Sequence, residues 1–187
     1  QAARNREIVL MCGIAGIMTA DGRTPDEGVL SRLAGALDHR GPDGRGMHVS
    51  GPVGLVQTRL AIIDLETGDQ PLFAEMPDGG EAALVANGEI YNYHELREQL
   101  SSKGYHFFSG GDTEVLLKAY HAWGEDFVKH FNGMFAFAIW DPRDRSLLLA
   151  RDRFGIKPLH IARTPNGIAF ASEAKGLLAL GVEARLD

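Results

Sequence analysis

The one cysteine of the chain, Cys12, lies in Met11-Cys12-Gly13-Ile14-Ala15-Gly16-Ile17, among apolar residues and two glycines. A thiol on a first buried strand can act as a nucleophile, with Gly13 and Gly16 letting a second backbone or a substrate come close. The same setting suits a small buried hydrophobe, which is what most lone cysteines are. A histidine is the usual activator of a thiol, and none neighbours Cys12 in sequence. Were Cys12 the first residue, its own α-amine, with an unperturbed pKa of about 7.8, could take the thiol proton at neutral pH. Nucleophile and base would then belong to one residue.

Other reactive side chains are dispersed. Arg59 interrupts an apolar, β-branched run from Val53 to Ile63, either as an arginine at a strand end facing water or as a fork for a ligand carboxylate. Asn87-Gly88-Glu89-Ile90 follows a short strand, and Asn-Gly is the strongest hairpin signal, so an ordinary turn is expected there. Ser109-Gly110-Gly111-Asp112-Thr113 resembles a pyrophosphate loop, but without a following serine and basic residue the backbone cradle is incomplete. The seven histidines never pair at ligand spacing, and His94-Glu95 lacks the second histidine of a zinc-protease helix. No metal site is expected.

The elements that must position these groups follow from periodicity. After the first strand, Thr24 as cap, Pro25 at the first helical position and Glu27 form a capping box, and Val29, Leu30, Leu33, Ala34 and Leu37 give one apolar helical face. That helix ends near Asp38. A strand covers Val53–Ile63, another Ala82–Ala86, and Asn92 with Glu95 opens a helix closed by Gly104. Tyr105–Phe108 reads as a strand, Asp112 or Thr113 starts the next helix, and a short amphipathic piece follows Gly124. Met134–Trp140, Ser146–Ala150, Leu159–Ala162 and Ile168–Ala171 read as strands, the last two joined through Thr164-Pro165-Asn166-Gly167, and Glu173–Leu180 reads as helical. About eight strands and four helices, with tight turns in place of helical crossovers, predict an α+β fold. Two largely antiparallel sheets packed together with helices outside fit this order better than a parallel nucleotide-binding sheet.

Bulk properties narrow the function. The 187 residues, 44% apolar, supply one globular domain or two small ones. A balance of 19 basic against 25 acidic side chains, net −6, without blocks of like charge, argues against binding nucleic acid. Arg4 and Arg6 precede an uncharged run from Ile8 to Ala20 that superficially resembles a signal peptide, but Glu7, Gly13 and Gly16 weaken it. The run is too short to span a bilayer, and no later segment could. A soluble, cytoplasmic protein with no membrane partner is expected. The single cysteine, which excludes any intrachain disulfide, fits a reducing compartment.

Six blocks taken in order are more specific than any one of them. Met11-Cys12-Gly13-Ile14-Ala15-Gly16, Arg40-Gly41-Pro42-Asp43, Thr58-Arg59-Leu60-Ala61-Ile62-Ile63-Asp64, Asn87-Gly88-Glu89-Ile90-Tyr91-Asn92, Gly111-Asp112-Thr113-Glu114 and Arg151–Leu159 together resemble the glutaminase domain of glutamine-hydrolysing asparagine synthetases. These are class II glutamine amidotransferases of the N-terminal-nucleophile hydrolase fold, a four-layer αββα sandwich. The resemblance implies that Cys12 attacks the glutamine side-chain amide to give a thioester and ammonia. It implies an oxyanion held by the Asn87 side chain and the Gly88 N–H, and a substrate carboxylate on Arg59 helped by backbone around Leu60, Ile62 and Ile63. Glu89 and Asp112 would take the substrate ammonium. Arg40–Asp43 and Arg151–Pro158 are expected to be turn and loop architecture, and Lys157 structural.

The resemblance also sets boundaries. Residues 1–11 are expected to be an N-terminal extension: a propeptide, residues added to the native chain, or a mis-assigned start with translation beginning at Met11. Residues 12–187 form the amidotransferase domain. With residues 1–11 attached, the Cys12 nitrogen is a peptide amide without a basic lone pair, so the chain is expected to be inactive as a glutaminase until they are removed. The family's ATP-dependent synthetase domain is expected to be absent from these 187 residues; the resemblance assigns ATP and magnesium to it, and no cofactor is expected in this domain. The implied partners are L-glutamine and the C-terminal synthetase domain of the full-length protein, with a homodimer left open. Two alternatives stand beside this expectation: a class II amidotransferase domain serving another acceptor, and a non-catalytic glutamine-binding domain.

Overall fold

Strand β1 (Gly13–Thr19) is apolar on both faces, with Ile14 pointing one way and Ala15 the other, so it suits the middle of a sheet covered on two sides. The computed structural model describes residues 11–61, 68–75 and 80–183 and places β1 there. Helix α1 (Glu27–Leu37), β2 (Gly44–Ser50), β3 (Val53–Arg59), β4 (Leu72–Glu75), β5 (Glu81–Ile90), α2 (Tyr93–Ser102) and α3 (Asp112–Trp123) follow. A 3₁₀ segment (Gly124–His130) leads to β6 (Gly133–Asp141), β7 (Ser146–Arg151), β8 (His160–Thr164), β9 (Gly167–Ala171) and α4 (Ala174–Leu178). One sheet runs β2-β3-β1-β9-β8 and the other β4-β5-β6-β7, and neighbouring strands pair antiparallel throughout.

Three apolar layers hold these elements together. Ile14, Val53, Leu55, Val85, Ala138, Trp140 and Phe170 fill the space between the sheets. Leu30, Leu33, Ala34 and Leu37 of α1 pack with Ala15, Val56, Ala169 and Ala171 on the outer face of the first sheet, where α4 adds Leu177. Helices α2 and α3 cover the second sheet through Leu96, Leu100, Val115, Leu116 and Phe137. The result is the four-layer αββα sandwich expected from the sequence.

Several local expectations change. Helix α1 is capped by Asp26, whose Oδ1 accepts the Gly28 N–H at 2.8 Å, so the cap lies two residues beyond Thr24. The predicted strand at 105–108 is a loop. The Tyr105 N–H is taken by the Leu100 carbonyl and the Phe108 N–H by Glu114, leaving no ladder to join. Strands β2 and β4 escaped notice, one because its glycines and polar residues hide the pattern, the other because it is four residues long. The strand begun at Val53 ends at Arg59, and Ile62 and Ile63 lie outside the described residues.

The Asn87-Gly88 pair does not reverse the chain. Both residues sit inside β5, with Asn87 opposite Ala136 and Gly88 opposite Phe135. Gly88 has φ +145°, and a Cβ there would lie 2.1 Å from the Met134 carbonyl oxygen. The glycine serves close approach of two strands and a backbone conformation that other residues rarely adopt.

Candidate active site

Side chains alternate across a strand, so the residues filling the space between the sheets fix where their neighbours two positions away must point. Ile14 on β1 and Leu55 on β3 face the inter-sheet layer, which turns Cys12, Gln57 and Arg59 the same way. Ala83 and Val85 on β5 do the same for Asn87 and Glu89. Reactive groups from both sheets thus meet at one end of the sandwich, where the apolar filling stops.

Cys12 is anchored by contacts to its sulfur and its carbonyl. The Leu60 N–H donates to the Cys12 sulfur at 3.3 Å, and the sulfur lies 3.5 Å from the Leu60 carbonyl oxygen. Nε of Arg40 donates to the Cys12 carbonyl at 3.0 Å, while Nη1 reaches Glu173 at 2.8 Å. The ring of His39 lies 2.9 Å and Lys175 Nζ 3.2 Å from the same carboxylate. Burial alone would raise the Glu173 pKa, but Arg40, His39 and Lys175 outweigh it and hold the group down at about 2. One residue earlier, the Ser172 hydroxyl accepts the Ile14 N–H at 2.9 Å. Ser172 and Glu173 brace the start of β1 from the far end of the chain. No sequence pattern marks this brace, because the Ile14 N–H and the Arg40 guanidinium that it holds lie more than 130 residues away.

Arg59 closes β3 with its side chain 11% exposed and Nη1 2.7 Å from Asp69, a carboxylate that is itself 88% exposed. The Arg40–Asp43 loop supports the segment beyond it, since the Asp43 carboxylate accepts the Ala61 N–H at 2.9 Å and the Asp43 N–H donates to the Arg59 carbonyl. Opposite, Asn87 is 2% exposed and its Nδ2 is buried without a hydrogen-bond partner. Interior amide groups are nearly always paired, so an unpaired donor beside a cavity is a binding feature.

Asp112 is the first residue of α3, and its Oδ2 accepts the Ile90 N–H at 2.8 Å. Burial pushes its carboxyl above the ordinary aspartate range, aided by the Glu89 charge and opposed by the Ile90 N–H. The loop before it is fixed from two sides. Arg97 donates to the carbonyls of Ser109 and Gly111, and Glu114 accepts the Ser109 N–H and hydroxyl. Neither Arg97 nor Glu114 stood out in the sequence as a supporting group, though both are charged residues on otherwise amphipathic helices.

One cavity is lined by Cys12, Arg59, Leu60, Asn87, Gly88, Glu89 and Asp112, which come from both sheets, a loop and a helix start. Lys157, also on its wall, is buried, with Nζ 3.3 Å from the Met11 sulfur. Its loop is organised by Asp152, which accepts N–H groups from Phe135, Phe154, Ile156 and Lys157. Among the described residues, no three His, Cys, Asp or Glu side chains gather at metal-binding distance, and no helix is long and apolar enough to cross a membrane. A thiol, an unpaired amide donor, a guanidinium and two carboxylates around one cavity are the groups needed to hold an amino acid by both charges and attack its side chain.

Comparison with known proteins points the same way. Residues 11–187 match the family described as glutamine amidotransferase domain. Asparagine synthetase (glutamine-hydrolyzing) 1 of Bacillus subtilis strain 168 is 42% identical over 180 residues, covering 95% of this chain and 28% of that protein. A putative asparagine synthetase (glutamine-hydrolyzing) of Mycobacterium tuberculosis H37Rv is 43% identical over 183 residues, covering 91% and 28%. The chain therefore spans little more than a quarter of the length of these curated relatives. The solved structure of glutamine phosphoribosylpyrophosphate amidotransferase from B. subtilis superimposes with a TM-score of 0.76 at 23% identity, over 91% of this chain and 44% of that one. At that identity the likeness establishes the fold.

Proposed function

The chain belongs to the glutamine amidotransferase domain family, and on that premise we propose that it hydrolyses L-glutamine to glutamate and ammonia through a thioester on Cys12. The α-amine of a processed Cys12 takes the thiol proton, and the sulfur adds to the side-chain amide carbon. The carbonyl π pair moves onto oxygen, where Asn87 Nδ2 and the Gly88 N–H receive it. Collapse of this oxyanion breaks the C–N bond, and the proton held by the α-amine leaves with the nitrogen as ammonia. Water then adds to the thioester through a second oxyanion, giving glutamate and restoring the thiol. Arg59, with backbone around Leu60, Ile62 and Ile63, holds the substrate carboxylate, and Glu89 and Asp112 hold its ammonium.

The observation that carries this reading is the Asn87 amide nitrogen, buried and unpaired on the wall of the cavity that holds the thiol. Such a donor costs stability while empty and repays it when an oxyanion forms. In this reading ammonia from the site passes to a synthetase domain, where ATP and magnesium would act; the relatives named asparagine synthetases extend far beyond the part matched here. The lone thiol suits a reducing compartment, and we place the protein in the cytoplasm.

Ammonia release from glutamine by the chain processed to begin at Cys12 tests the reading. Turnover that disappears in Cys12→Ala, with glutamine binding retained by calorimetry, is the expected result. Absence of turnover in the processed parent would overturn it in favour of a binding domain. Full turnover with Gln1 still attached would overturn the α-amine as base.

A further inference from the structure

Gln57 lines the same cavity as Cys12, is 1% exposed, and has its Nε2 buried without a hydrogen-bond partner. Burying an amide donor unpaired is unfavourable, and β3 elsewhere fills the inter-sheet layer with apolar side chains such as Val53 and Leu55. A leucine or methionine at this position would have continued that filling. A polar residue placed there instead is suited to whatever enters the cavity.

Register fixes where its amide can reach. Gln57 stands opposite Ile14 on β1, and Cys12 lies two residues before Ile14 on the same face. Diagonal neighbours of an antiparallel pair are about 7–8 Å apart at the backbone and within reach of long side chains. Packed sheets are about 10 Å apart, so Asn87, facing from the second sheet, brings its unpaired amide to the same gap. Arg59, two residues further along β3, points the same way but toward the exposed side, where it meets Asp69. A glutamine whose carboxylate sits on Arg59 therefore turns its amide end, not its charged end, toward Gln57. The acceptor at that end is the amide oxygen, and attack by sulfur increases its negative charge.

We propose that Gln57 donates a third hydrogen bond to the reacting carbonyl oxygen, so that the oxyanion is held between side-chain amides from opposite sheets with the Gly88 N–H beside them. The role rests on the glutamine hydrolysis proposed above. Because the acceptor gains charge only as the sulfur attacks, the bond strengthens in the transition state and acts on kcat more than on KM.

The test compares variants of the chain processed to begin at Cys12. Gln57→Met keeps the length of the side chain and loses the donor. It is expected to lower kcat for ammonia release by roughly ten- to hundredfold, slow thioester formation in a single turnover to match, and leave KM within about threefold. Its Tm should be unchanged or higher, because an unpaired buried donor has been removed. Gln57→His retains an N–H donor and should recover part of the rate. A kcat for Gln57→Met within about twofold of the parent, a loss confined to KM, or a fall in Tm with an unchanged rate per folded molecule would each overturn the proposal. A processed parent that releases no ammonia overturns the glutamine-hydrolysis reading itself, a result distinct from any of these.

Discussion

Replacing Glu173 with glutamine tests the brace behind Cys12. The carboxylate takes Nη1 of Arg40 at 2.8 Å, with the His39 ring at 2.9 Å and Lys175 at 3.2 Å. Burial opposes ionisation, yet these partners hold the group at about 2 against an ordinary value of 4.5. That gap corresponds to roughly 3 kcal/mol of preference for the charged form. The side chain is 28% exposed, and solvent screening reduces the usable part to about 1–2 kcal/mol. Glu173→Gln should therefore lower Tm by roughly 3–6 °C at pH 7 for a chain of this size. The sign of the pH dependence is fixed, because a depressed carboxyl pKa stabilises fully above the unfolded value and less as pH falls through the folded one. The difference between parent and variant should be constant above about pH 5, shrink between 4.5 and about 2, and vanish below. Calorimetric unfolding at pH 7, 4 and 3 measures it. An equal Tm offset at pH 7 and pH 3, or none at pH 7, would refute the electrostatic account. Arg40 would also hold the Cys12 carbonyl less firmly, so kcat of the processed enzyme should fall by about tenfold, since small misplacements of a nucleophile are costly.

Two further substitutions separate backbone constraint from charge. Gly88→Ala places a Cβ 2.1 Å from the Met134 oxygen at φ +145°, and should cost at least about 3 kcal/mol in urea unfolding; an unchanged midpoint would show that β5 and β6 can separate at this point. Asp112→Asn removes a carboxylate whose pKa burial holds above the ordinary range. A raised carboxyl pKa means that the ionised form is the disfavoured one in the folded protein, so stability contributed by this group rises as pH falls through its titration. The variant keeps an acceptor for the Ile90 N–H and should show equal or higher Tm at pH 7, while the KM for glutamine rises by about tenfold or more. A lower Tm with unchanged KM would make Asp112 a structural residue.

The fold was largely legible because its core strands carry their own signal. The run at 134–140 is apolar without interruption and pairs on both edges as β6, and the periodic leucines of α1 bury one face. What was misread depends on distant neighbours. Asn87-Gly88 has the composition of a turn, but β6 offers a partner along its whole length and the pair is drawn into the ladder. Residues 105–108 have the composition of a strand, but Glu114 and Leu100 claim their N–H groups first. The same division runs through the candidate site. Cys12 and Arg59 stand out by residue type, whereas Asn87, Glu89 and Asp112 were reached only through the resemblance of their motifs to the glutaminase family. Glu173, Ser172 and Arg97 were reached by neither route, because a brace is defined by its contacts.

That division bears on how the thiol comes into use. The restraints on Cys12 act on its sulfur, through Leu60, and on its carbonyl, through Arg40. Neither involves the bond to Met11. Among the described residues, the side of that bond which would be lost contributes the Met11 N–H to the Arg40 carbonyl and the Met11 sulfur beside Lys157. On the proposed function, cutting between Met11 and Cys12 would keep both restraints and place a free amine next to the thiol. It would also remove the thioether beside Lys157 Nζ on the cavity wall. On the proposed function, the thiol is positioned before its base exists, and the unpaired amides of Asn87 and Gln57 already line the cavity in which the oxyanion would form.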